Sequence, residues 1–82
     1  NPFNPVLTIQ YNLDFEQNVS IEIYNILGQR VRQLIDREMI AGYHSIQWNG
    51  KNNQNILLGS GIYFVKVSTN NESYIKKVTF IK

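Results

Sequence analysis

Ser60-Gly61-Ile62-Tyr63-Phe64-Val65-Lys66-Val67-Ser68-Thr69 and Ser73-Tyr74-Ile75-Lys76-Lys77-Val78-Thr79-Phe80-Ile81-Lys82, joined by Asn70-Asn71, are the stretch on which the fold turns. β-Branched and aromatic residues dominate both halves, as suits a pleated and half-buried backbone. Asn70-Asn71 can supply both left-handed positions of a two-residue hairpin turn. The stretch therefore predicts an antiparallel hairpin whose second strand runs to the final residue. That strand carries Lys76, Lys77 and Lys82, so a basic group is displayed on a C-terminus locked into a sheet, as if offered for recognition.

Upstream, the same period of two recurs. Leu7, Ile9, Tyr11 and Leu13 alternate with Thr8, Gln10 and Asn12, and Val19, Ile21 and Ile23 alternate with Ser20, Glu22 and Tyr24. Asn25-Ile26-Leu27-Gly28-Gln29 suits a type I turn followed by a left-handed Gly28. Val31, Leu34 and Ile35 follow helical spacing, whereas Arg30 and Arg32 flanking Val31 suit a strand with both arginines on one face; periodicity leaves the segment open. After Ala41-Gly42, the residues His44, Ile46 and Trp48 alternate with Tyr43, Ser45 and Gln47. A polar loop, Asn49-Gly50-Lys51-Asn52-Asn53-Gln54-Asn55, precedes a possible short strand at Ile56-Leu57-Leu58. The prolines of Asn1-Pro2-Phe3-Asn4-Pro5 stiffen an extended entry, the expected join between a linker and a domain. About seven short strands at regular spacing predict an all-β, immunoglobulin-like antiparallel β-sandwich. It contains no disulfide, and Trp48 and Tyr63 are its large core anchors.

The 82 residues make one domain with a small core, and a hydrophobic fraction of 43% with 12% aromatics supports folding. The net charge of +2 is a weak handle for the whole molecule. Its distribution is uneven: residues 1–38 hold three arginines against five carboxylates, net −2, and residues 39–82 hold five lysines against Glu72 alone, net +4. Such a basic half suits an anionic surface, or else protects sheet edges from pairing with other chains. With no cysteine the redox compartment stays open, and no apolar run is long enough to span a membrane. The chain opens at Asn1 rather than Met and reads as a piece of a larger precursor.

Little here suits catalysis. The single histidine, His44, sits on an alternating strand without a nucleophile or orienting partner, and reads as a partly buried edge residue. The loop from Asn49 to Asn55 is polar enough for calcium but contributes only neutral amides, since no Asp or Glu lies between Met39 and Asn71. Asp14 with Glu16 and Asp36 with Glu38 sit in or beside turns, where solvated carboxylates are ordinary. Arg30 and Arg32 lack the interleaved aromatics of a nucleic-acid surface. The expectation is a non-enzymatic domain with no catalytic residue, metal or cofactor, and no nucleic-acid partner.

An ordered set of motifs resembles one family along the whole chain. These are Asn1-Pro2-Phe3-Asn4-Pro5, Tyr24-Asn25-Ile26-Leu27-Gly28-Gln29-Arg30-Val31, Ala41-Gly42-Tyr43-His44, Trp48-Asn49-Gly50, Ser60-Gly61-Ile62-Tyr63-Phe64 and Lys76-Lys77-Val78. They resemble the type A C-terminal sorting domain of the type IX secretion system of Bacteroidota, and are similar to the immunoglobulin-like domain of the flagellar hook-capping protein. The resemblance implies a seven-stranded sandwich that follows a linker and a cargo domain and favours a strand over residues 30–36. It implies an address tag that sends its cargo across the outer membrane, by way of the periplasm, to the cell surface or the medium. The implied partners are the secretion machinery and a sortase-like peptidase that removes the domain and can attach the cargo to anionic lipopolysaccharide; the isolated domain is expected to be monomeric.

On this resemblance Gly61, Tyr63, Lys76, Lys77 and Lys82 are the recognition candidates. Asn1, Pro2, Asn4, Pro5, Gly28, Gly42, Trp48 and Gly50 are the structural motif, with Gly28, Gly42 and Gly61 at positions a side chain would obstruct. The family often carries Asp where Asn49 and Asn53 stand and Gly near Asn55. The rival readings are an accessory carbohydrate- or protein-binding module, using Tyr43, Phe64 or Tyr74, and a structural spacer.

Overall fold

The computed structural model describes residues 6–82; the Asn1, Pro2, Asn4 and Pro5 motif lies outside them. Six strands follow one another: β1 (Leu7–Leu13), β2 (Gln17–Tyr24), β3 (Arg30–Met39), β4 (Gly42–Trp48), β5 (Gly61–Ser68) and β6 (Ser73–Phe80). They form two antiparallel sheets, a pair β1-β4 and a four-stranded sheet in the order β3-β2-β5-β6. The sandwich is as expected, with one strand fewer. Ile56-Leu57-Leu58 makes only an isolated bridge, Leu57 opposite Lys51. The C-terminal strand also stops at Phe80, two residues before the end.

Alternation places the core. Leu7, Ile9, Tyr11 and Leu13 of β1 and His44, Ile46 and Trp48 of β4 face the larger sheet, and their neighbours Thr8, Gln10, Asn12, Tyr43, Ser45 and Gln47 are exposed. Central β2 contributes Val19, Ile21 and Ile23, all fully buried, and β5 contributes Tyr63 and Val65. Gln17, also buried, is satisfied by donating its Nε2 to the Phe15 carbonyl at 3.2 Å.

The ambiguous segment is a strand with two irregularities. Ile21 is opposite Ile35 but Glu22 is opposite Gln33, and Ile23 is opposite Arg32 but Tyr24 is opposite Arg30. Leu34 and Val31 are therefore the extra residues of two β-bulges. Each bulge resets the phase of alternation, so Val31, Leu34 and Ile35 all become half-buried and mimic helical spacing. The bulge at Val31 also separates the two arginines. Arg30 ion-pairs with Glu22 at 2.7 Å, while Arg32, opposite core-facing Ile23, donates to the Asn52 carbonyl at 3.2 Å. They do not share a face.

Candidate functional site: the C-terminal hairpin

The β5–β6 hairpin pairs in register from Gly61 opposite Phe80 to Ser68 opposite Ser73. Its turn is closed by the Thr69 N–H donating to the Glu72 carbonyl at 2.8 Å. Neither Asn70 nor Asn71 takes a positive φ, so the turn is not the left-handed form their identity suggested. With no glycine in the loop, the ordinary right-handed conformation costs less.

The far end of the hairpin is anchored in an aromatic cluster. Trp48, 1% exposed, lies 5.4 Å from Tyr63 and 5.5 Å from Phe80 between ring centroids, and Tyr63 and Phe80 meet edge-to-face at 6.2 Å. The polar ends are satisfied: Trp48 Nε1 donates to the Lys51 carbonyl at 3.0 Å and the Tyr63 hydroxyl to the Gly59 carbonyl at 2.7 Å. Gly50 passes directly over the Phe80 ring, at φ +79°, where a Cβ would overlap the ring. Past the strand, the Lys82 N–H donates to Ser60 Oγ at 3.1 Å. Tyr63, Val65 and Phe80 are buried and Val78 is half-buried, so the terminal strands are tied to the core, with Trp48 and Tyr63 as the expected anchors.

For the glycines the reading needs correction. A Cβ at Gly28, Gly42 or Gly61 would meet no atom within 4 Å, so space does not require glycine there. Gly50 is the obstructed position. Gly28 instead serves conformation, at φ +82° in the β2–β3 turn.

The loop of asparagines holds a device that sequence reading missed. Asn25 donates its N–H to Gln29 O and accepts at Oδ1 from the N–H groups of Leu27 and Gln29; its carbonyl accepts from Gly28. Asn52 repeats every bond with Ile56, Gln54 and Asn55, and Asn55 takes φ +65° where the first turn has Gly28. The spacing Asn-x-x-Gly and Asn-x-x-Asn was the available signal. Asn53 then reaches β3, donating its N–H to Val31 O at 3.2 Å and accepting from Gln33 N–H at 3.0 Å. The loop thus covers the β3 edge, and Asn49, Asn52 and Asn53 spend their side chains on backbone rather than on a cation.

Lys76, Lys77 and Lys82 are all exposed, and among the described residues none is ion-paired. Lys76 and Lys77 nonetheless point apart. Lys76 is opposite Val65 on the inner face, and Lys77 is opposite Phe64 on the outer face. His44 stacks on Tyr11 with centroids 5.2 Å apart and bonds through Nε2 to the Ile40 carbonyl at 2.7 Å, the half-buried position expected of it. Among the described residues no three His, Cys, Asp or Glu side chains converge on one point. Tyr43, 89% exposed, is on the outer face of the small sheet, Phe64 on the outer face of the large one, and Tyr74 on the inner face of β6. These aromatics form no common platform for a sugar.

The family model for the secretion system C-terminal sorting domain matches residues 1–82. The chain belongs to that family. The sorting domain is thus the C-terminal signal of the type IX secretion system, which exports proteins to the cell surface or the external milieu. As a sorting signal it interacts with that secretion machinery. A crystal structure of FlgD from P. aeruginosa is similar in fold, with a TM-score of 0.70 at 22% identity over 94% of this chain. The sorting domain spans 62% of that FlgD chain. No curated protein matches it.

Proposed function

We propose that the anchored β5–β6 hairpin is the surface the secretion machinery reads. The observation that carries this reading is the combination of Trp48, Tyr63 and Phe80, which fix the hairpin, with unpaired Lys76, Lys77 and Lys82 displayed on it. Gly61 and Tyr63 seat β5, and the three lysines make the contacts. A fixed frame matters because ordering a loose tail on binding costs about 0.5–1.5 kcal/mol per immobilised side chain.

In the full precursor the domain follows a linker and a cargo domain. After export a sortase-like peptidase removes it, and the cargo can be joined to anionic lipopolysaccharide. The domain itself works as a monomer and carries an address, with no catalytic step. The excess of lysine in residues 39–82 supports approach to an anionic surface.

The test is export of a periplasmic reporter fused to residues 1–82 with Lys76→Ala, Lys77→Ala, or both. The expected result is a loss of export in the double variant while its circular dichroism and thermal midpoint stay those of the parent. Undiminished export of a folded double variant would refute the reading.

A further inference from the structure

The two sheets are unequal, and the mismatch leaves one flank of the sandwich open. Pairing puts Tyr74, Lys76, Val78 and Phe80 on the inner face of β6, yet cover reaches only half of them. Phe80 is buried and Val78 half-buried, whereas Lys76 is exposed and Tyr74 is 58% exposed. A groove of about 480 Å³ runs between β1 and β6, lined by Leu7, Ile9 and Tyr11 of β1, Val65 and Val67 of β5, and Lys76 of β6. It continues past Leu7 and Val78 into a smaller recess beside Trp48 and Phe80.

Both strands that border the groove are edge strands. Among the described residues β1 bonds only to β4 and β6 only to β5, so each presents a row of N–H and C=O groups unpaired within the sheets. The outer edge of β3, by contrast, is met by Asn53. Lys76 puts a cation among apolar side chains, and no carboxylate lies within ion-pairing distance of it. Asp14 and Glu72 line one end of the groove, and Glu72 accepts from the Tyr74 hydroxyl at 2.7 Å.

We infer that this groove is a strand-addition site for an extended acidic segment of a partner protein. The segment pairs with the free edge of β6, sets alternate apolar side chains beside β1, and places a carboxylate against Lys76. Charge separates this occupant from a second copy of the chain. Pairing β6 with β6 of another copy would bring Lys76 and Lys77 against like charges, and β1 contains no charged residue to compensate. The inference goes beyond the sorting reading, since it holds whichever apparatus carries the partner, and its test involves no export.

The probe is the peptide acetyl-Thr-Val-Thr-Glu-Thr-Val-Thr-amide, titrated to millimolar concentration against the ¹⁵N-labelled 82-residue chain. Shift changes are expected along β1 and β6, with slowed hydrogen exchange at β6 amides that do not bond to β5. A peptide with Gln in place of Glu, and the Lys76→Gln chain with the original peptide, should each bind about fivefold more weakly. Combining the two changes should add little further loss. Absence of shifts at β1 and β6, or equal affinity for the Glu and Gln peptides, would overturn the inference. So would a Lys76→Gln chain that self-associates while binding the peptide unchanged, because Lys76 would then be a guard against edge pairing.

Discussion

Asn55 and Gly28 hold the same place in the same turn, yet only one of them is free of a Cβ. Both take a positive φ, and both give an N–H to the carbonyl of the asparagine three residues earlier. A side chain in that conformation costs about 1–2 kcal/mol, less for Asn than for most residues. Asn55→Gly should therefore stabilise the domain by about 0.5 kcal/mol, read as a rise in urea midpoint with unchanged slope. Gly50 has no such latitude, since a methyl group there meets both an unfavourable φ and the Phe80 ring. Gly50→Ala should cost about 2–4 kcal/mol. Trimming the ring with Phe80→Leu should recover part of that loss, so chemical denaturation of the double variant would show clear non-additivity. Glu22 is held below the ordinary glutamate range, first by its hydrogen bond with Arg30 and then by the Tyr24 hydroxyl, against some opposing burial. A lowered pKa in the folded state adds stability above the ordinary glutamate range, and that stability disappears as pH falls through the lowered value. Solvent around the half-exposed Arg30 limits the effect to about 0.5 kcal/mol. Glu22→Gln should flatten the acid limb of the stability profile by that amount.

The strands were legible wherever one face met the core and the other met water. β1, β2 and β4 show period two in their residues and in their burial throughout, β5 does so as far as Lys66, and β6 only from Val78 to Phe80. β3 did not, because bulges are departures from the period on which such reading depends. The β2–β3 turn was readable because glycine announces a left-handed residue, whereas its twin at Asn52–Ile56 was hidden behind Asn55. The site candidates were readable as types rather than positions. Lys76 and Lys77 look like a pair in sequence, and only pairing with Val65 and Phe64 reveals that they serve opposite faces. The same pairing predicts a gradient of protection along β6. Its Phe80 end is locked under Trp48 and Gly50, while Tyr74 and Lys76 are uncovered. Hydrogen exchange should therefore be slower toward Phe80 than toward Ser73 among the amides bonded to β5.

As a whole molecule, the domain combines a firm centre with an unfinished flank. β2 and β5 form the centre of the large sheet and the aromatic cluster ties β4, β5 and β6 together, while the small sheet leaves the Ser73 end of β6 uncovered. The similarity to FlgD concerns that architecture, and membership in the sorting family concerns its use. A scaffold of this kind needs no reactive group to direct export; it needs a surface that keeps its shape. The most direct measurement fuses residues 1–82 to a folded periplasmic reporter and assays the fraction outside the outer membrane, in a host with the type IX apparatus and in the same host without it. Transfer to the surface or medium only when the apparatus is present is the predicted result. A folded fusion that remains periplasmic in both hosts would contradict it.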